Sequence, residues 1–166
     1  MRVVFASDEE RADAVSLSLA LWPEHTVENM TAEMRARLSD HDSAVFLVYN
    51  DTQNPHHGKT KMCNDKQAIG IAICSLRHDY VEGTETSPVG YLEGIYVTEA
   101  YRRQGAARAL LAACEKWSKD MGCTEFASDC ELDNTDSLAF HLKNGFSEAN
   151  RIICFCKKLK QTERGV

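Results

Sequence analysis

Apolar positions along this chain follow two rhythms, one of period 3.6 and one of period 2, that alternate between clusters of turn-forming residues. Residues 1–6 alternate and predict a short strand. Ser7-x-x-Glu10 is a capping box that opens a helix with apolar positions at Ala14, Val15, Leu17, Leu19 and Leu21, and Pro23 after Trp22 stops it. A second helix is predicted from Val27 to Leu38, with Met30, Met34 and Leu38 on one face. Ala44–Tyr49 reads as a buried strand. Residues 51–66 have loop composition and predict an exposed hairpin extension leading into a strand over Ala68–Cys74. Beyond a loop at 80–89, Gly90–Val97 is strand-like. A helix follows, with Ala107, Leu110, Leu111, Cys114, Trp117 and Met121 on its apolar face, and Gly122 ends it. Then come a strand over Thr124–Ser128, a loop over Asp129–Asn134, a helix to about Asn144, and a last strand through Phe155. Strands alternating with helices after an initial meander define a mixed α/β sheet. There is no internal repeat or dividing linker, so residues 1–166 are expected to form a single domain.

Bulk composition narrows the class only a little. Hydrophobic residues make up 43% and charged residues 27% of the 166, an ordinary globular balance. No apolar run approaches the roughly 20 residues needed to cross a bilayer, so no membrane partner is expected. The N-terminal stretch lacks the pattern of a secretory signal, which implies a cytoplasmic protein. Nineteen basic against 25 acidic residues give a net charge of −6, which disfavours nucleic acid and favours cations. The seven cysteines are odd in number and form no C-x-x-C ladder. Cys154 and Cys156 alternate as if on one face of a strand, and Cys74 and Cys114 fall in apolar periodic segments, so reduced, structural thiols are expected. The spacing of His56, His57 and Cys63 is weak for a metal, and no metal site is expected.

Chemistry concentrates in Tyr96-Val97-Thr98-Glu99-Ala100-Tyr101-Arg102-Arg103-Gln104-Gly105-Ala106-Ala107-Arg108. A strand ends there, a basic turn follows, and small residues stand at a helix entry. The unsatisfied amides and positive dipole end of that helix suit a phosphate, with Arg102, Arg103 and Arg108 adding charge. The spacing is neither a Walker A loop nor G-x-G-x-x-G. A basic turn with small residues for packing is the competing reading.

Arg102-x-x-Gly105-x-Ala107 resembles the acetyl-CoA signature of the GNAT acetyltransferases. Asn134, Ser137, His141 and Gly145-Phe146 follow at that family's second spacing. The resemblance implies a mostly antiparallel mixed sheet flanked by helices and splayed at an acetyl-CoA cleft. Four further segments resemble the aminoglycoside 6'-N-acetyltransferases of Gram-negative bacteria: Leu21-Trp22-Pro23-x-His25, Tyr80–Val89, Leu92–Val97 and Ala127-Ser128-Asp129. The resemblance implies that the backbone of Ile95, Tyr96 and Val97 pairs with the pantetheine arm. It assigns the pyrophosphate to the amides from Arg103 through Gln104, Gly105, Ala106 and Ala107 to Arg108, and a cofactor hydrogen bond to Asn134. It gives the aminoglycoside to Trp22, His25, Tyr80, Glu93 and Asp129, and it implies a homodimer.

Elementary chemistry agrees with this assignment. Acetyl transfer needs a neutral amine, whereas alkylamines with a pKa of about 10 are mostly protonated near neutrality. A carboxylate beside the ammonium can take its proton directly or through water. Asp129 and Glu93 are the candidates, and the choice between them and a relayed water stays open. Two positions depart from the pattern. His141 stands where many relatives have a tyrosine that protonates the leaving thiolate, and it either donates a proton or only packs. Asn150 stands where relatives often carry a glutamate facing the drug. Acetylation of polyamines or of protein and peptide amines, and a non-catalytic acyl-CoA or drug-binding module, are the alternative functions.

Overall fold

The computed structural model describes residues 1–50 and 66–159. The predicted hairpin extension at 51–66, with His56, His57 and Cys63, lies outside the described residues except for Lys66.

Strand β1 (Arg2–Phe5) leads into Ser7, whose hydroxyl accepts the Glu9 amide at 3.2 Å while the Glu10 carboxylate accepts the Ser7 amide at 2.9 Å. The predicted capping box therefore forms, although its first turn (Asp8–Glu10) is a 3-10 turn that runs into α1 (Arg11–Leu21). Helix α2 (Val27–Ser39) starts at Thr26, which accepts the Asn29 amide at 3.2 Å. Strands β2 (Ser43–Asn50), β3 (Gln67–Arg77) and β4 (Val89–Val97) follow, then α3 (Ala106–Asp120), β5 (Phe126–Ser128) and α4 (Thr135–Lys143).

The strands lie in the order β1-β2-β3-β4-β5, with antiparallel pairs up to β4 and β5 parallel to β4. Strand alternation explains why β2 reads as an unbroken apolar run: both its faces are covered. Ala44, Phe46 and Val48 point to α3, where they meet Leu110, Leu111 and Cys114. Val45, Leu47 and Tyr49 point to α1 and α2, where Val15, Leu17, Met30 and Met34 close the other core. Each fully buried Leu or Met of this kind contributes about 1.5–3 kcal/mol of burial. The sheet is thus the middle layer of a three-layer α/β structure.

The parallel pair is short. Gly90, Tyr91 and Leu92 match Phe126, Ala127 and Ser128, and there the β5 ladder ends while β4 runs on to Val97. The sheet opens from Glu93 onward, and this gap faces the entry to α3.

The predicted last strand does not form. Residues 146–159 have no ladder, and Phe155 is 92% exposed, with Ile152, Ile153 and Leu159 also exposed. Cys154 and Cys156, predicted on one strand face, are exposed too. A strand needs the N–H and C=O groups of a neighbour, and within the described chain this segment finds none. Among the described residues, no helix is long and apolar enough to cross a membrane.

Candidate active site

The turn before α3 is built for close approach to its backbone. Arg103 (φ 60°) and Gly105 (φ 89°) both take left-handed conformations, which turn the chain into the helix. A Cβ built on Gly105 would meet nothing within 4 Å, so its backbone angle, not crowding, is what calls for glycine, and the space in front of the turn is open. The first bond into the helix is from the Ala109 amide to the Gly105 carbonyl (3.0 Å). The amides of Ala106, Ala107 and Arg108 precede it, in the first turn of α3, where backbone N–H groups have no intrahelical acceptor. Arg102 was expected to add charge here but turns back: its Nε donates to the Val97 carbonyl at 3.0 Å, and its guanidinium lies 5.9 Å from the Tyr96 ring centre. Gln104 braces the turn through Nε2 to the Ala100 carbonyl (3.0 Å).

The two candidate carboxylates stand on either side of the gap in the sheet. Glu93 is an unpaired bulge residue, since Ile73 matches Gly94 and Cys74 matches Leu92. A bulge re-aims a side chain, and here it points Glu93 at Ser75 and Arg77 of β3. Ser75 Oγ donates to Glu93 Oε1. Arg77 Nη2 donates to Oε2 at 2.9 Å and Nε to Oε1 at 3.3 Å, while the guanidinium lies 3.6 Å from the Tyr91 ring centre. Burial alone would depress the Arg77 pKa, but the bond to Glu93 and that carboxylate's charge raise it. Asp129, just past β5, is exposed. It acts on the Tyr91 phenol, which is pushed up to about 12, first by burial and then by the charge of Asp129 and a hydrogen bond to it. Ser75, Arg77 and Tyr91 were not singled out from sequence. Their only signal was a serine and an arginine two apart at the exit of an apolar strand.

The remaining positions form a rim. Trp22 caps α1 and lies against β4: a Cβ on Gly94 would sit 2.8 Å from both Trp22 Cζ2 and Leu21 Cδ2. His25 donates its amide to the Trp22 carbonyl at 3.2 Å, and its ring lies 3.7 Å from Glu24 and 4.0 Å from Glu33. Tyr80 is 80% exposed and donates its hydroxyl to Glu82 at 2.8 Å, and Asn150 donates Nδ2 to the same carboxylate at 3.0 Å. Asn134 Oδ1 caps α4 by accepting the Ser137 amide at 3.0 Å. His141 has both ring nitrogens engaged. Nδ1 lies 2.7 Å from the Ser137 carbonyl, which can only accept, so that nitrogen carries a proton. Nε2 lies 2.9 Å from Ser128 Oγ at the end of β5. Edge contacts with Phe140 and Phe146 complete its setting, a packing arrangement that fixes the strand end beside Asp129. No group of three or more His, Cys, Asp or Glu able to hold a metal occurs among the described residues.

A helix entry offering free amides, beside a strand edge left open by a splayed neighbour, fits a nucleotide thioester: the amides suit the pyrophosphate and the edge suits an amide-bearing arm. Comparison with known proteins agrees with this. Residues 14–146 match the acetyltransferase (GNAT) family. The chain is 41% identical over 159 residues to an aminoglycoside N(6')-acetyltransferase type 1 of Acinetobacter genomosp. 13, covering 96% of this chain and 99% of that one. The crystal structure of the aminoglycoside antibiotic 6'-N-acetyltransferase AAC(6')-IG of Acinetobacter haemolyticus superposes with a TM-score of 0.84 at 39% identity, covering 96% of this chain and all of that one. AAC(6')-Iy bound to the bisubstrate analogue CoA-S-monomethyl-acetylneamine superposes with a TM-score of 0.84 at 33% identity, covering 95% and 98%. The chain belongs to the GNAT family of acetyltransferases, whose acyl donor is acetyl-CoA, and within that family to the aminoglycoside 6'-N-acetyltransferases.

Proposed function

We propose that this chain, acting as one catalytic domain, transfers the acetyl group of acetyl-CoA to the 6'-amine of aminoglycosides by direct attack in a ternary complex, with Asp129 receiving the amine's proton. The observation that carries the choice of Asp129 is the state of its rival. Glu93 is engaged by Arg77 and Ser75, whereas Asp129 is exposed beside the neutral phenol of Tyr91. Both Glu93 oxygens already accept hydrogen bonds from the protein, which leaves Asp129 the more accessible carboxylate for the substrate proton and Glu93 to shape the anionic wall that receives a polycation.

The balance of the reaction is simple. Asp129 takes a proton from the 6'-ammonium, directly or through water. The freed nitrogen lone pair attacks the thioester carbonyl, the N–C bond forms and the C–S bond breaks. The nitrogen gives up two protons in all. The first goes to Asp129 before attack and on to solvent. The second leaves the nitrogen as the tetrahedral adduct collapses and is taken up by the thiolate, so coenzyme A departs as the thiol with net release of one proton. Backbone amides near Ile95–Val97 are the candidate donors to the oxyanion, and those of Arg103 to Arg108, with Asn134, are the candidate holders of the donor. Trp22, His25 and Tyr80 flank the acceptor.

A homodimer in the cytoplasm completes the proposal. The exposed apolar side chains Ile152, Ile153 and Phe155, and separately a β5 edge that no described strand covers, support it, because exposed apolar groups and open strand edges of this kind mark contact surfaces. In light scattering the protein is expected to have the mass of two chains, and Phe155→Asp that of one.

The enzymatic proposal is tested by release of coenzyme A, followed with a thiol reagent, using kanamycin and a relative bearing a 6'-hydroxyl. Turnover with the amine and none with the hydroxyl is the expected result. Inactivity on both while acetyl-CoA still binds would overturn it and direct the search to polyamines and peptides.

A further inference from the structure

Glu82, a residue given no role above, joins two rim residues that come from distant parts of the chain. Its Oε2 accepts the Tyr80 hydroxyl at 2.8 Å and its Oε1 accepts Asn150 Nδ2 at 3.0 Å, although Asn150 lies 68 positions further along. The local sequence explains how they meet. Val81 is buried with Val89 and Tyr91 and packs against Ala127, which pins the loop beside the ring under Arg77 and next to the strand that leads to Asp129. The neighbours of Val81 on either side, Tyr80 and Glu82, are therefore held exposed beside the β4–β5 pair. Gly83 then takes φ 78°, and a Cβ there would sit 2.4 Å from Ala149 Cβ, so glycine at this position lets the segment carrying Asn150 approach.

A carboxylate offers about four acceptor positions, and two on Glu82 are used by neutral donors from the protein. The Tyr80 hydroxyl and then the Asn150 amide hold its pKa below the usual carboxylate range. Among the described residues, and unlike Glu93, Glu82 has no cation among its hydrogen-bond partners, so its charge is available to a ligand.

We infer that Glu82 is a specificity-determining residue of the acceptor site: its carboxylate, oriented by Tyr80 and Asn150, binds an ammonium of the substrate other than the one acetylated. The inference rests on the aminoglycoside reading above. Because the side chain of residue 150 abuts this carboxylate, a carboxylate placed at 150 would occupy nearly the same spot and could replace it.

Steady-state kinetics of the full chain and its Glu82→Gln and Glu82→Gln/Asn150→Glu variants, with kanamycin at low and high salt, test this. Glu82→Gln is expected to raise the KM for kanamycin about three- to tenfold. It should leave kcat and the acetyl-CoA KM within about twofold and flatten the rise of KM with salt. The double variant is expected to recover most of the lost affinity. An unchanged kanamycin KM in Glu82→Gln, a parallel rise in the acetyl-CoA KM, or no recovery in the double variant would each overturn the inference. A wild-type chain that turns over no aminoglycoside would instead remove the functional reading, and this inference with it, before any variant is measured.

Discussion

Arg77 grips Glu93 with two donors while its guanidinium lies 3.6 Å from the Tyr91 ring centre, so the end of β3 is tied to β4 twice, to the bulge by charge and to Tyr91 by a cation–π contact. The pair lies at the edge of the cleft, with 43% of the Arg77 side chain and 20% of the Glu93 side chain exposed. Solvent weakens the attraction without removing it. Arg77→Ala is expected to cost about 1 kcal/mol of stability in urea melts, from the ion pair and the ring contact together. In a double-mutant cycle with Glu93→Gln the two costs should fall short of additive by at least about 0.5 kcal/mol. Strictly additive costs would mean the contact is not energetically coupled.

Asp129→Asn removes the proposed proton acceptor while keeping its size. The expected loss in kcat is about 100-fold or more, with the acetyl-CoA KM within about twofold, since Asp129 is proposed to act on the acceptor amine alone. Glu93→Gln should reduce kcat less and act mainly on the KM for the aminoglycoside. If the two variants lose kcat equally, or Glu93→Gln loses more, the proton acceptor is not Asp129 alone.

Much of this architecture was legible in the residue pattern because it depends on local periodicity. The apolar stripe of α3, the capping box at Ser7 and the run through β2 each report burial within one element, and the observed ends fall within about two residues of those expected. What escaped is non-local. Glu93 could be placed inside a strand, but its partnership with Arg77 depends on a one-residue slip against β3, which neither strand records by itself. Arg102 was expected to add charge at the turn, and its bond to the Val97 carbonyl is a contact that composition does not encode. The segment through Phe155 alternates like a strand, yet strand formation needs an edge to pair with. The partners of the two His141 nitrogens, the Ser137 carbonyl and Ser128 Oγ, likewise depend on how α4 packs against β5.

Two glycines near the cleft should respond differently to alanine, because one is required for space and the other for conformation. At Gly94 the new methyl would meet Trp22 and Leu21 at 2.8 Å. Gly94→Ala is therefore expected to displace Trp22 and raise the aminoglycoside KM, with a quenched or shifted tryptophan emission. At Gly105 nothing lies within 4 Å, but φ is 89°. Gly105→Ala should cost about 1–2 kcal/mol in backbone strain and raise the acetyl-CoA KM, leaving the emission unchanged. The same KM affected in both variants would contradict this division.

Glu125 gives a prediction about acid. Its Oε2 accepts the amides of Glu85 (2.9 Å) and Thr86 (2.7 Å) and the Thr86 hydroxyl, fastening the 80–89 loop to the segment entering β5. The Thr86 hydroxyl and then the Glu85 amide lower its pKa below the usual 4.5, against a small opposing effect of burial. The sign follows from linkage. A carboxylate with a depressed folded pKa contributes stability above its unfolded value of 4.5 and loses it as pH falls through the folded value. Below both values the protonated group accepts poorly and the contribution is gone. Denaturation midpoints of the wild type should therefore drop on acidification below about pH 4.5, and Glu125→Gln should be less stable at pH 7 and show a shallower drop. The loop carries Tyr80 and Glu82, so the variant should also raise the aminoglycoside KM while sparing that for acetyl-CoA. Parallel acid limbs for the two proteins would show that other carboxylates, not this clamp, control the acid response.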